Sequence, residues 1–157
     1  MEGGGLPFAF HAEAPDAWDP ALADDPESGL TADQCVIGGQ RFFARGLLVI
    51  PVHDAEEDFT WGVWVELSSG SFERMSELWE TPNREREPPY PGWLANALPG
   101  YAEPTLGMLA RMKTRPVGMA PQVQVSADDH PLSAEQRDGI TVARVQELAA
   151  AAAAEPS

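Results

Sequence analysis

The chain has 157 residues, 43% of them hydrophobic, one cysteine and a formal net charge of −15. A chain of this length buries about 68–70% of the surface its unfolded form exposes, so a single domain over 1–157 needs no disulfide or metal staple. The charge excludes nucleic acid as a natural partner, and the apolar runs fall far short of the roughly 20 residues that a membrane span requires.

Residues 1–34 carry Gly and Pro punctuation and no sustained period, which predicts an irregular arm anchored by Phe8, Phe10, Trp18 and Leu22. The arm is acidic: from Met1 to Gln40 there are eight Asp or Glu and no Lys or Arg. Such a field steers basic partners toward the protein. No basic leader precedes the short apolar patch of MEGGGLPFAF, and Cys35 is the sole thiol; both fit a cytoplasmic location.

A folded core is expected over 35–148. In RFFARGLLVIPVHD the even positions from Phe42 to Val52 are apolar except Gly46, which predicts a strand over 41–53. A second strand follows at 59–68, FTWGVWVELS, with Phe59, Trp61, Val63, Val65 and Leu67 on one face. Pairing Val52 with Phe59 closes a hairpin through a four-residue loop, Asp54–Glu57. That register sets Arg45 opposite Glu66, His53 opposite Asp58 and Leu47 opposite Trp64. Trp64 is then a lone large aromatic on the more polar face, where it either stacks on a ligand or covers a second layer of core.

Residues 71–80 read as a short helix with Ser71 as N-cap and an apolar stripe of Phe72, Met75 and Trp79. The Pro-rich stretch 81–101 reads as a functional loop or lid with one helical turn at Trp93–Leu98. Residues 105–115 alternate Leu106, Met108, Ala110 and Met112 against Arg111, Lys113 and Arg115, a third strand. Residues 121–126 make a weaker fourth, Ser133 and Gln136 have capping-box spacing, and Thr141 caps a helix over 141–153. The tail 149–157 is expected to fray.

The fold class expected is therefore α+β: an antiparallel sheet of about four or more strands with two or three helices mainly on one face.

Motifs for chemistry are sparse. There is no GxGxxG, GxxxxGK[ST], HExxH, GxSxG or CxxC, so no catalytic residue, metal or cofactor is expected. Asp128, Asp129 and His130 form the densest ionisable cluster, readable as half of an acid/base set or as a turn before a helix. Candidate ligand-binding residues, chosen by residue type, are Arg45, Trp64, Glu66, Tyr90, Trp93, Asn96, Arg115, Asp129 and His130.

The strings CVIGGQRFFARGLLVIPV, FTWGVWVELSSGSFERMSELWE, PPYPGWLANALPGY, KTRPVG and DDHPLSAEQRDGIT resemble a bacterial domain-of-unknown-function family, number 2199, from about Leu6 to Leu148. The resemblance implies no activity. Many members begin with a Cys- and His-containing segment resembling a metal knuckle, which has no match here, so a domain that folds without it is implied. The leading functional expectation is a non-catalytic acidic interaction domain that binds a basic protein, as bacterial immunity proteins do, with self-association as a further possibility. The alternative is a small-molecule-binding domain or enzyme with its site between the outer sheet face and the 81–101 loop.

Overall fold

The computed structural model describes residues 8–126 and 129–154. Eight strands and three α-helices follow in chain order. They are β1 (Ala9–His11), β2 (Gly29–Leu30), β3 (Gln34–Ile37), β4 (Arg41–Ile50), β5 (Phe59–Leu67), α1 (Ser69–Glu77), β6 (Tyr90–Leu94), β7 (Leu109–Lys113), β8 (Gln122–Val125), α2 (Pro131–Asp138) and α3 (Val142–Ala154). The chain is α+β, but its sheet is not the open layer expected. β4 through β8 form an antiparallel meander, and β8 returns to pair with β4, closing a five-stranded barrel. An odd number of alternating strands closes only through one parallel pair, and that seam is Leu47 against Gln122.

Closure turns the apolar face of every barrel strand inward. Leu48, Ile50, Phe59, Trp61, Val63, Leu94, Met112 and Val123 share one buried core. The helices do not line one face of an open sheet; they add Met75, Leu132, Val145 and Leu148 to that same core. Gly46 lies where β4 crosses the barrel interior. A Cβ there would meet Val123 at 2.7 Å and Met112 at 2.8 Å, so no larger residue fits without repacking.

The β4–β5 hairpin has the expected facing but a different register, shifted by two residues. Ile50 pairs with Phe59, Arg45 with Trp64 and Phe43 with Glu66. The cause is Pro51, which has no N–H to give the ladder and ends the strand early. Beyond it, Val52 bridges to Ile140, and the His53 imidazole sits 2.7 Å from the Asp138 carbonyl instead of facing Asp58. A shift by an even number preserves which side chains face the core.

Other boundaries move for local reasons. Ser68, not Ser71, caps α1, its hydroxyl accepting from the Ser71 N–H. The expected turn at Trp93 is strand β6, with Tyr90, Gly92 and Leu94 buried while Pro91 and Trp93 are exposed. β7 starts only at Leu109, because the chain turns at Gly107 with φ +88, and Leu106 is left outside the barrel. His130 caps α2, with Pro131 in its first turn. Gln136 leaves its expected capping role and bonds the edge of β8, donating to the Val123 carbonyl at 2.8 Å and accepting from the Val125 N–H at 3.0 Å. The arm contains two short strands, β1 parallel to β5 and β2 antiparallel to β3. Of the expected fraying tail, 149–154 is the end of α3 and 155–157 lies outside the described residues, as does Asp128.

One buried cation organises the region after α1. Arg84 donates to the carbonyls of Trp79, Arg115, Pro116 and Met119 at 2.7–3.2 Å, and its guanidinium lies 4.7 Å from the Trp79 ring centre. Arg84→Met removes the donors from four carbonyls, and urea unfolding is expected to register a loss of about 2–4 kcal/mol.

Candidate interaction surface

The barrel strands have a second face, and the question posed by Trp64 is settled there. Cys35, Phe43, Trp64 and Ala95 pack together in a second buried core under Ala12, Trp18, Leu30 and Ile37. Trp64 is 0% exposed, and its indole N–H donates to the Ala12 carbonyl at 3.0 Å. It is second-layer core beneath the N-terminal arm.

The arm reaches this position through a fork on β5. β1 pairs with Thr60 to Gly62, while β6 pairs with Val65 to Leu67. Between them the Trp64 N–H would lack a strand partner, and the Asn96 side chain supplies one, its Oδ1 accepting at 2.8 Å. Asn96 Nδ2 donates to the Ala14 carbonyl and to Asp16 Oδ1, and Asp16 Oδ2 accepts from the Ala97 N–H. All the strong hydrogen-bonding capacity of the Asn96 amide nitrogen is thus spent on holding the arm.

Arg45 stands nearby, its guanidinium donating to His11 Nδ1 at 3.1 Å. Burial, and then the Arg45 charge, hold the His11 imidazole below its ordinary range. The His11 ring leaves no room for a side chain at Gly62. Cys35 is 1% exposed, and burial pushes its thiol up to about 11.

Farther across the same face the cover ends. Glu66 forms a two-pronged pair with Arg41 at 2.8 and 2.9 Å, and the next strands present Trp93 at 49%, Leu109 at 58% and, from the preceding loop, Leu106 at 52% exposure. Trp93 sits directly opposite Leu109 across β6 and β7. Trp93 and Leu106 also flank a cleft of about 340 Å³ with Phe43 and Ala95 at its base and Asp16 of the arm on its rim. Large apolar side chains gathered at the surface beside a partly open cleft are the usual make-up of a docking anchor.

The remaining candidates lie elsewhere. Tyr90 is buried in the first core, and its hydroxyl donates to Glu87, which Arg74 also grips at 2.9 Å. Burial, with the Glu87 bond second, raises the Tyr90 phenol to about 12. Arg115 contacts Met119 and gives its carbonyl to Arg84. His130 is buried as the α2 cap, Nδ1 accepting from the Leu132 N–H and Nε2 donating toward the Glu103 and Pro104 carbonyls. Asp129 is exposed in the turn before it. Arg45, Trp64, Glu66, Trp93 and Asn96 therefore share the second-face region, whereas Tyr90, Arg115, Asp129 and His130 do not join them.

Sequence reasoning missed His11, Asp16, Leu106 and Leu109. The first two are ordinary arm residues until the arm is docked, and no local pattern announces that. Leu109 was legible in principle, since it shares parity with the exposed Arg111.

Among the described residues no group of three or more His, Cys, Asp or Glu is placed to hold a metal ion, and no helix is long and apolar enough to cross a membrane. These features define a small α+β barrel domain with two hydrophobic cores, one inside the barrel and one between the sheet and an acidic arm. Residues 2–140 match DUF2199, described as uncharacterized protein conserved in bacteria, and the chain belongs to that family. No curated protein and no solved structure matches it.

Two outcomes test the reading of the covered face. Asn96→Ala is expected to cost about 1–3 kcal/mol in urea unfolding, the range for a buried donor stripped of its acceptor. Ellman's reagent at pH 8 is expected to leave Cys35 unlabelled in the folded protein and to label it only as fast as the chain unfolds; prompt labelling would mean that the arm does not seal the second core.

Proposed function

We propose that this chain is a non-catalytic interaction domain that docks a basic protein partner on the Trp93–Leu106–Leu109 surface. The observation that carries the reading is the contrast between two parts of one sheet face. Where the arm lies, Cys35, Phe43 and Trp64 are fully covered; where it ends, Trp93, Leu106 and Leu109 are half open to solvent. Trp is among the residues enriched at binding hot spots, and a ring already packed on a rigid strand loses little freedom on binding.

Charge supplies the preference for a basic partner. The net charge is −15, and the arm that borders the surface contributes Glu13, Asp16, Asp19, Asp24, Asp25, Glu27 and Asp33 without one Lys or Arg between Phe8 and Gln40. Opposite charge accelerates encounter and suppresses wrong partners, while the apolar anchor sets how long the complex lasts. An immunity-like protein that captures a basic toxin would use this division of labour.

The polar candidates support the same reading. Asn96 and His130 both spend their hydrogen bonds inside the fold, and Glu66 is taken by Arg41.

The test is affinity capture from a bacterial extract at 50 and 300 mM salt, using the wild type and a Trp93→Ala/Leu109→Ser variant. A basic protein retained by the wild type at low salt, released at high salt and not retained by the variant is the expected result. Equal capture by both proteins, or capture insensitive to salt, overturns the reading. Sedimentation of the two proteins alone separates a hetero-partner from self-association, which would make the wild type a dimer and the variant a monomer.

A further inference from the structure

We propose that the seam where the barrel closes is a second binding site, one that takes a small molecule through a carboxylate or phosphate group. This site is independent of the docking surface and does not rest on it. On the outside of β7 and β8, Arg111 lies opposite Gln124 and Lys113 opposite Gln122. Two adjoining grooves of about 320 and 330 Å³ run along these strands and share Arg111, Gln124 and Gln136. Each is within the lower range of small-molecule sites.

The local charge is the reverse of the whole. The chain has 25 acidic residues, yet none of the described ones lines either groove. The Arg111 guanidinium makes no hydrogen bond or ion pair with a described residue, whereas Arg41, Arg74 and Arg144 are each clasped by a carboxylate. Lys113 adds a second positive charge at the wall, its ammonium fixed by the carbonyls of Glu85 and Glu87 at 2.6 and 2.7 Å. Glu87 and Asp138, the carboxylates beside Lys113 and Arg137, are each taken up by an arginine, and charges beyond about 8 Å are screened at physiological salt.

A second, separate observation points the same way. Ser133 lines the second groove, is only 7% exposed, and its hydroxyl has no hydrogen-bond partner. A buried hydroxyl without a partner costs free energy, and a small rotation of this side chain toward the groove would let a ligand oxygen become its partner. The guanidinium of Arg111 offers the paired donors that a planar carboxylate or a phosphate accepts two at a time, and Gln124 adds an uncharged amide donor. Leu47, Val49 and Pro89 give the first groove an apolar wall, which suits a short aliphatic body attached to the anionic group.

The geometry of the seam explains why the groove exists. β4 and β8 meet only at Leu47 and Gln122, and beyond that pair the edge of β8 is bonded by the Gln136 side chain instead of a strand. The strands splay, and the gap between them is the cleft.

Nitrogen–proton correlation spectra of the full chain, titrated with sodium phosphate and separately with sodium butyrate in 150 mM NaCl, test the site. Saturable shifts at the Arg111 side-chain N–H and at the amides of Gln124 and Ser133 are expected with one or both probes. Saturation with phosphate alone assigns a phosphate group, and saturation with butyrate alone assigns a carboxylate. Arg111→Gln is expected to weaken binding at least tenfold, and Ser133→Ala, which removes an unpartnered hydroxyl, to weaken it severalfold while the protein stays folded. Arg86→Gln, an equal loss of charge at an exposed position outside both grooves, is expected to change nothing. Shifts that grow linearly with both probes, an adventitious ion only, overturn the proposal. So does saturable binding that Arg111→Gln and Ser133→Ala leave intact.

Discussion

Strands β4 and β5 outrun every other strand of the sheet, and most of the architecture follows from that mismatch. They pair along nine consecutive positions, from Phe42 with Leu67 to Ile50 with Phe59. No partner is long enough to cover the far edge of either one. Each far edge is therefore divided between two partners: β3 and β8 along β4, β6 and β1 along β5. A divided edge leaves backbone groups between the partners, and buried backbone groups must be bonded. On β5 the gap is filled by Asn96, and on β4 the Arg45 N–H finds the Asp33 carbonyl while the Leu47 N–H finds that of Pro121. The two forks bring distant segments together. One seats the N-terminal arm over Trp64; the other closes the barrel and leaves the splayed seam at Gln136.

These forks also explain how much was legible in the sequence. Period-2 patterning identified β4, β5, β7 and β8, because burial on one face writes itself into alternate residues. It gave the facing of the hairpin correctly, since face depends only on parity, but not its register, since Pro51 acts on hydrogen bonds and leaves no mark on hydrophobicity. Closure was invisible for a related reason: an open sheet and a barrel require the same alternation, and only the Leu47–Gln122 pair distinguishes them. β1 and β2 are three and two residues long, too short for any period to show.

The candidate site divides along the same line. Trp93 stood out by residue type in a Pro-rich stretch, and it is exposed. Asn96 and His130 stood out equally, and both are structural, because polar residues at fork and cap positions resemble binding residues in composition. What separates them is whether their hydrogen bonds are already spent. Arg84 shows the converse: it reads as one charge in the solvated string NREREP, yet it is buried beneath four carbonyls.

The contrast between the two open surfaces bears on why the chain is so acidic. Nothing in the barrel requires Trp93, Leu106 or Leu109 to be apolar, since each side chain points away from the first core and a polar residue would serve the strand or loop equally well. An exposed anchor of that kind invites copies of the chain to stick to one another. A net charge of −15 opposes that, because like-charged molecules repel before their apolar surfaces meet. The same repulsion turns to attraction for a basic protein. On the reading proposed here, acidity is therefore part of the selectivity of the surface: it keeps the anchor free among identical chains and admits a partner of opposite sign. The Arg111 groove differs from that surface in its lining, which includes Arg111 and Lys113 and no described acidic residue.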